Sequence, residues 1–305
     1  MSEVPDGLVQ AQIRWNGDAG REFIAGLPAR AARFLERWEL RRTGPVMHGV
    51  TALVLPVVRA DGSPAALKLQ RVDEESAGEP AALRAWAGGG AVRLLEHDEE
   101  TGSLLLERLD EGRHLSALAE RDSRRAVQVV GELLARLTAV PAPEGLRGLG
   151  AVAAGMLDGV PEALGRLSDG RERGLLESCA AALAEVAGEP GDRLLHWDLH
   201  YDNVLAAGRE PWLAIDPKPL AGDPGFELLP AIVNNFRAEE VRWRFDLLTE
   251  VTGLDRDQAR AWTLGRVLQN CLWDVEDGED RLDAEQMAVA EELLGRRRPL
   301  HRGTS

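Results

Sequence analysis

The chain has 305 residues, of which 51 are acidic and 36 basic, so its formal charge is −15 at neutral pH. This length allows one large domain or two smaller ones, either able to bury a core without disulfide or metal support. The acidic balance excludes nucleic acid as the main partner, and two cysteines exclude a disulfide framework or a cysteine metal cluster.

The chain shows no signal of a membrane protein. Its first residues carry no basic segment followed by an apolar stretch, and no apolar run reaches the roughly 18 residues of a membrane span. We therefore expect a cytoplasmic protein without membrane contact, working as a monomer or a weak dimer.

The first third of the chain has the pattern of a small antiparallel sheet with one inserted helix. Apolar residues at three- and four-residue spacing predict a first helix over residues 18–40. A further helix is predicted over residues 79–87, before three consecutive glycines. The strand-like runs are Ala52–Val58, 65–69, 91–96 and Ser103–Glu107.

The rest of the chain is mostly helical. Helical patterns cover residues 122–140 and 171–187, and four more follow Asp223, while residues 194–215 form a β-rich island. The sequence therefore predicts an α+β fold of two lobes. An N-terminal lobe (1–107) would combine the sheet with its helix, and residues 108–305 would form a larger helical lobe.

The β-rich island carries the chemistry. It contains His196-Trp197-Asp198-Leu199-His200-Tyr201-Asp202-Asn203, and after a turn it continues to Ile215-Asp216. Taken as a hairpin centred between Arg209 and Glu210, the run places Asn203 directly opposite Asp216. Opposed residues stand about 5 Å apart. An amide oxygen and a carboxylate at that distance can share Mg²⁺, with Asp198 close by.

The two lysines stand out among 36 basic residues, because every other basic residue is arginine. A lysine in such a chain indicates a position that arginine cannot serve. Lys68 lies within the predicted strand 65–69. Lys218 follows Asp216 by two residues, near enough to reach a phosphate or a substrate oxyanion, although an exposed loop cation fits it equally well.

These residues carry a family resemblance. The run from His196 to Asn203, the stretch from Glu210 to Lys218 and Gly222-Asp223-Pro224 resemble the aminoglycoside phosphotransferase family of protein-kinase-like small-molecule kinases. The similarity points to its streptomycin 6-kinase and hydroxyurea phosphotransferase branch. It implies a bilobal protein-kinase-like fold, Asp198 as catalytic base, Asn203 and Asp216 as ligands of Mg²⁺, and ATP as phosphoryl donor.

The remaining parts of a kinase can be sought in the N-terminal lobe. A kinase needs a strand lysine on the nucleotide phosphates and a glutamate from a helix to hold it. Lys68 fits the first role and Glu79 the second, although Glu74 and Glu75 compete with Glu79. The segment from Glu107 to Leu109 is expected to contact adenine through its backbone. Residues 44–49 lack the full glycine-rich pattern, so the phosphate-covering loop is assigned only to the region between the first strands.

The acceptor is expected to be a small cation. Residues 272–292 hold nine acids and one arginine, and an acidic wall suits a polycationic acceptor. Trp273, Asp274 and Glu276 are expected to face the cleft, while His200 is either a loop support or a substrate contact. The predicted activity is ATP-dependent phosphorylation of a hydroxyl on an aminoglycoside or aminocyclitol such as streptomycin. Hydroxyurea and an amino sugar remain alternative acceptors.

Two rival functions come from other classes. The segment His196-x-Asp198-x-His200 has the ligand types of a metallohydrolase, but the other histidines, His48, His97, His114 and His301, form no second pair. A non-catalytic, nucleotide-binding pseudokinase fits poorly, because the base, the lysine and both metal ligands are all present.

Overall fold

The N-terminal part of the chain forms a six-stranded antiparallel sheet with the order β1-β3-β4-β6-β5, with β2 also paired to β3. The computed structural model describes residues 4–295, so His301 and the outer ends of the two predicted lobes lie outside the described part. The strands of this sheet are β1 Arg41–Arg42, β2 Met47–His48, β3 Ala52–Val58, β4 Pro64–Gln70, β5 Leu94–Asp98 and β6 Ser103–Glu107. The predicted bounds of β3 and β6 are confirmed.

Strand β5 begins three residues later than predicted. Instead of joining β5, the segment before it pairs with a strand of the helical lobe, because Val92 donates to the carbonyl of Ala214 and Ala214 donates to that of Gly90. Both N–H···O distances are 2.9 Å. This short pairing ties the two lobes together through backbone hydrogen bonds.

Helix α1 (Asp6–Arg37) covers the outer face of the sheet and begins earlier than predicted. The earlier start was not predicted because the helix breaks at Gly17, whose φ of 53° interrupts the apolar period that the sequence shows after it. Leu27 and Phe34 of α1 are fully buried against apolar residues of β3 and β4. A separate small core is thereby closed on this face.

Helix α2 (Glu79–Trp86) connects the sheet to the helical lobe. Its Trp86 ring is buried, and Trp86 Nε1 donates to the carbonyl of Leu137 at 3.0 Å. Leu83 and Trp86 belong to the large hydrophobic cluster that continues through the C-terminal helices. The predicted α+β, bilobal protein-kinase-like architecture is confirmed.

The C-terminal part is built from eight α-helices and two small sheets among the described residues. The helices are α3 Ser116–Ala119, α4 Ser123–Leu137, α5 Leu149–Arg166, α6 Gly170–Val186, α7 Leu229–Val233, α8 Val241–Thr252, α9 Arg256–Glu276 and α10 Ala284–Leu293. The Asp122 carboxylate caps α4 by accepting a hydrogen bond from the backbone N–H of Arg125. Aspartate is a preferred residue at this position before a helix. Helix α5 was not predicted, because its glycines and Pro161 weaken both propensity and periodicity.

The small sheets position the β-rich island. Their strands are β7 Asp110–His114, β8 Arg193–Leu195, β9 Val204–Ala206, β10 Leu213–Ala214 and β11 Leu220–Gly222. The first sheet has the order β10-β9-β7, and β8 pairs with β11 in the second. The run between His196 and Asn203 therefore leaves one sheet and enters the other.

The predicted register of the β9–β10 hairpin is wrong by one residue. Leu205 pairs with Leu213 and Val204 with Ala214, so Asn203 lies opposite Ile215, whose N–H donates to the Asn203 carbonyl at 2.9 Å. This register is centred on Arg209, whose guanidinium donates to the carbonyls of Gly88 and Ala91 and to the carboxylate of Glu107. Asp216 is the residue after the one opposite Asn203.

Among residues 4–295, no helix is both long and apolar enough to cross a membrane.

Candidate active site

A buried carboxylate shapes the loop that carries Asp198. Glu227 accepts hydrogen bonds from two successive amides, His196 N at 3.0 Å and Trp197 N at 2.6 Å. These bonds hold Trp197 in the left-handed region, at a φ of 68°, which a bulky residue seldom adopts. The turn projects the next side chain, Asp198, toward a cleft, where it is 28% exposed.

The groups behind this loop have displaced pKa values. Burial raises the pKa of the Glu227 carboxyl to about 7, against the two hydrogen bonds that it accepts. Burial lowers the pKa of His196 to about 4, so its ring is neutral at physiological pH. His196 Nε2 lies 2.9 Å from the carbonyl of Ile215. His196 therefore braces the loop that carries Asp198.

Lys68 is the centre of a three-residue ionic cluster. Its Nζ lies 2.7 and 2.9 Å from the two carboxylate oxygens of Glu79 and 2.9 Å from Oδ1 of Asp216. Burial alone would lower the pKa of Lys68, but the Asp216 and Glu79 carboxylates outweigh it and raise that pKa. Lys68 is thus a fixed cation between a helix of the N-terminal lobe and the end of the β9–β10 hairpin.

Glu79 is the glutamate that holds this lysine. It is 1% exposed, and Gln70 Nε2 donates to its Oε2 at 2.7 Å. The two competing residues lie elsewhere: Glu74 is 3.8 Å from Arg147, and Glu75 is 3.4 Å from Lys218. Of the three glutamates, Glu79 is the one positioned to fix Lys68.

Asn203 and Asp216 offer oxygen ligands of the kind that Mg²⁺ prefers. The amide nitrogen of Asn203 donates to the carbonyl of Asp198 at 2.8 Å, which leaves the amide oxygen without a hydrogen bond among the described residues. Asp216 Oδ1 lies 2.9 Å from Lys68 Nζ, and Asp216 has a φ of 55°, in the left-handed region. Desolvation opposes its ionisation, but the Lys68 ammonium holds the pKa of Asp216 below the usual range. This donor set fits a hard divalent cation.

In the segment from Glu107 to Leu109, between the two lobes, one residue is held through its side chain and another has free backbone groups. The Glu107 carboxylate accepts from Arg209 Nε and Nη2 and from the backbone N–H of Arg93. Leu109 is buried, and its backbone N–H and carbonyl form no hydrogen bond among residues 4–295. Of the two residues predicted to lie beside adenine, Leu109 therefore has free backbone groups. The Glu107 side chain instead binds Arg209, and we call this pair, with the bonds of Arg209 to Gly88 and Ala91, the clamp between the lobes.

An open cleft of about 410 Å³ lies in front of Asp198. Lys218 bridges the two sides of its mouth, since Nζ lies 3.5 Å from Asp198 Oδ2 and 3.4 Å from Glu75 Oε2. The cleft is lined by Glu75, Trp197, Asp198, His200, Asp202, Lys218, Leu229, Pro230, Val233, Asn234, Arg266, Asn270 and Trp273. His200, Lys218 and Trp273 are thus the predicted substrate residues that the structure brings to Asp198.

Asp274 and Glu276 do not line this cleft. Asp274 instead accepts a hydrogen bond from the backbone N–H of Asp283 at 3.0 Å, and Glu276 is an exposed residue at the end of α9. Further along the acidic run, Glu292 pairs with Arg242, and Glu291 with Arg171. The expected acidic wall faces other helices and solvent, because α9 presents its Arg266, Asn270 and Trp273 edge to the cleft.

The sequence missed several residues of the site. Glu227 stands 31 positions from the amide it binds, so only its apolar neighbours and the preceding Gly222-Asp223-Pro224 could have marked it. Arg266 gave no signal, because one arginine among 34 looks like a surface charge, and the sequence offered Glu75 only as an alternative partner of Lys68. Only the folded chain shows that both residues line the cleft in front of Asp198.

The metallohydrolase alternative finds no support in the site. Among residues 4–295, no group of three or more His, Cys, Asp or Glu side chains could hold a metal ion. The His196 ring is turned to the backbone of Ile215, and His200 Nδ1 accepts from the backbone N–H of Asp202 at 3.3 Å.

Comparison with known proteins identifies the family of the chain. Residues 37–278 match the family described as aminoglycoside/hydroxyurea antibiotic resistance kinase. A hydroxyurea phosphotransferase from Kitasatospora aureofaciens is 74% identical over 96% of this chain and 86% of its own length. A streptomycin 6-kinase from Streptomyces griseus is 55% identical over 95% of this chain and 96% of its own.

Solved structures share the fold at low sequence identity. An aminoglycoside phosphotransferase in a ternary complex with ADP and hygromycin B aligns with a TM-score of 0.59 and 15% identity, over 90% of this chain and 99% of that one. A choline/ethanolamine kinase family protein from Mesorhizobium loti aligns with a TM-score of 0.58 and 18% identity, over 84% and 87% of the two chains. The chain therefore belongs to the aminoglycoside/hydroxyurea antibiotic resistance kinases and is a phosphotransferase that acts on hydroxyl groups.

Proposed function

We propose that this phosphotransferase transfers the γ-phosphate of ATP to a hydroxyl group of a small molecule bound in the cleft before Asp198. One observation carries the proposal. The Lys68–Glu79–Asp216 cluster supplies a fixed cation and a carboxylate for a metal ion at the end of the β9–β10 hairpin, and the loop that carries Asp198 leads into that hairpin. Phosphoryl transfer needs such positioning and charge neutralisation more than covalent chemistry.

The nucleotide side of the proposal uses residues from both lobes. Lys68 would bind the nucleotide phosphates, held in place by Glu79, and the free backbone groups of Leu109 would meet the adenine edge. Asn203 and Asp216 would hold Mg²⁺, which neutralises charge on the phosphoryl oxygens when bound. The chain's own contribution is to fix these oxygens, since Asn203 is tied to the Asp198 carbonyl and Asp216 to Lys68.

The acceptor side depends on Asp198. Its carboxylate is within reach of the cleft and would orient the acceptor hydroxyl and accept its proton as the bond to phosphorus forms. Lys218 lies 3.5 Å from the same carboxylate and would meet the phosphoryl group or the acceptor oxygen as charge develops there. Both side chains are partly exposed, so an acceptor can reach them.

Hydroxyurea is the first acceptor that we propose. The 74% identical relative is a hydroxyurea phosphotransferase, and the charged side chains of the cleft nearly balance, with Glu75, Asp198 and Asp202 against Lys218 and Arg266. Streptomycin is the second, supported by the 55% identical relative and by a cleft volume within the roughly 300–1,000 Å³ typical of small-molecule sites.

Release of ADP by the full-length chain tests the proposal. With ATP and Mg²⁺, we expect release that depends on hydroxyurea or streptomycin and that exceeds the rate with an amino sugar such as glucosamine. Asp198→Asn is the matched control and should lose the acceptor-dependent rate. ATP binding without acceptor-dependent release for any of the three compounds would contradict the proposal and favour a non-catalytic nucleotide-binding protein.

A further inference from the structure

The floor of the acceptor cleft holds a buried arginine without an ion-pair partner. Arg266 on α9 is 7% exposed, yet among the described residues no carboxylate oxygen lies within 4 Å of its guanidinium. Buried arginines are nearly always paired, because removing a charge from water is costly. Burial lowers the pKa of Arg266 to about 10, so the side chain is still a cation at neutral pH.

Most of its hydrogen-bonding capacity is unused. Nη1 donates to Gln269 Oε1 at 2.6 Å, and Nη2 makes a long contact of 3.5 Å with the Trp197 carbonyl. Nε has no partner among the described residues. A guanidinium carries five N–H donors in a planar fork, so most of them lack an acceptor here.

Aromatic rings hold the guanidinium in place. Its central carbon lies 5.0 Å from the Trp197 ring centroid, 5.3 Å from that of Phe226 and 5.7 Å from that of Trp273. Trp197 precedes Asp198 directly, and both Trp197 and Trp273 line the cleft. The donors are thus fixed beside the carboxylate that the proposed reaction uses, in a rigid apolar frame that strengthens hydrogen bonds.

We propose that Arg266 is an acceptor-binding residue that donates hydrogen bonds to an uncharged oxygen of the acceptor next to the hydroxyl that is phosphorylated. The inference rests on the proposed function. The carbonyl oxygen of hydroxyurea and a neighbouring hydroxyl of streptomycin share this chemistry. A guanidinium donates but cannot accept, so Arg266 selects acceptors that present an oxygen rather than a cationic group to the cleft floor.

The competing role is structural. Glu227 and Asp198 both favour the charged form of Arg266, so the arginine could merely balance the carboxylate that holds the catalytic loop. Loss of that balance would disturb Asp198 and lower kcat. Loss of an acceptor contact would instead raise the KM of the acceptor, because the missing bond forms when the acceptor binds.

Steady-state kinetics of Arg266→Gln and Arg266→Lys separate the two roles. Arg147→Gln is the matched control, since Arg147 lies over the same Trp197 ring at 4.5 Å but does not line the cleft. For whichever acceptor the wild type phosphorylates, we expect Arg266→Gln to raise its KM by about 10-fold or more. Arg266→Lys keeps a cation with N–H donors and should therefore raise the acceptor KM less than Arg266→Gln does. The KM of ATP and the kinetics of Arg147→Gln should stay within about two-fold of the wild type.

The contrary results are distinct. An unchanged acceptor KM in Arg266→Gln, a fall in kcat alone, or a parallel rise in the KM of ATP would overturn the assignment of Arg266 while leaving the proposed function intact. If the wild type phosphorylates none of hydroxyurea, streptomycin and glucosamine, the proposed function fails first and the acceptor-binding role of Arg266 falls with it.

Discussion

The two sides of the candidate active site are built on opposite principles. On the nucleotide side, Lys68 and Glu79 are buried and satisfy one another at 2.7 and 2.9 Å, and Asp216 completes the cluster. On the acceptor side, the Lys218 ammonium lies 3.4 and 3.5 Å from its two carboxylate partners, and Arg266 keeps unused donors. In the proposed reaction, the nucleotide would therefore bind to charged groups that are already paired with one another, whereas the acceptor would itself supply partners for the unpaired donors of its cleft.

This difference explains how one fold can serve several acceptors. A frame fixed by three charges from two lobes tolerates little change, because removing one partner leaves another buried charge uncompensated. An open cleft with loosely held polar groups can exchange side chains without disturbing the fold. The relatives that act on hydroxyurea and on streptomycin are consistent with that division.

The largest effect is expected on the nucleotide side. Asp216→Asn neutralises the proposed metal carboxylate and weakens the hold on Lys68, so turnover should fall by about 10²-fold or more. Assays of ADP release over a range of Mg²⁺ concentrations measure it. Turnover close to that of the wild type at every Mg²⁺ concentration would remove Asp216 from the metal site.

The two lysines sharpen the comparison, because the same substitution can be made on both sides. Lys68→Arg forces a planar fork into a pocket shaped for a compact ammonium, and turnover should fall by on the order of 10²-fold. Lys218→Arg, in the open cleft, should cost less than about 10-fold. Equal effects of the two substitutions in ADP-release assays would show that the sides are not built differently.

A smaller effect is expected from Glu227, which binds the loop that carries Asp198. Glu227→Gln keeps one acceptor oxygen but turns an amide N–H toward the backbone donors, so kcat should fall by about 10-fold. In the wild type, the carboxylate form that holds the loop is lost as pH falls through about 7. The slope of kcat between pH 6 and 8 should therefore flatten in the variant, and an unchanged slope would speak against the role of Glu227.

As pH rises, the contribution of Glu227 to the stability of the fold should fall, whereas its contribution to kcat should rise. Because the pKa of Glu227 is raised from 4.5 to about 7 in the folded protein, its contribution to stability is present below pH 4.5 and lost as pH rises through about 7. His196, with its pKa lowered to about 4, contributes stability that is lost as pH falls. The difference in melting temperature between wild type and Glu227→Gln across this range isolates the glutamate.

The smallest effect is expected at the clamp between the lobes. Arg209 binds Glu107 and the carbonyls of Gly88 and Ala91, next to the segment proposed to contact adenine. Arg209→Gln should raise the KM of ATP by about three-fold, since partly exposed ion pairs contribute little. Arg136→Gln, which removes an exposed pair with Glu210, is the control and should leave that KM unchanged.

The sequence predicted what depends on local pattern and on rare residues. The lobes and the strands β3, β4 and β6 follow from periodicity, and the scarcity of lysine singled out Lys68. The β9–β10 register could not be predicted from the sequence, because its central residue, Arg209, contacts residues about 100 positions away. Arg266 and Glu227 could not be predicted for the same reason, because the residues that they contact in the loop that carries Asp198 are distant in the sequence and come close only in the folded chain.

The placement of Asp198 on the acceptor side is the central claim, and Asp198→Asn tests it most directly. Calorimetry of ATP binding with Mg²⁺, beside steady-state rates with the acceptor, measures both sides on one variant. We expect kcat to fall by about 10²-fold or more while the Kd of ATP stays within about two-fold of the wild type. Loss of ATP binding as severe as the loss of turnover would contradict the division between the two sides.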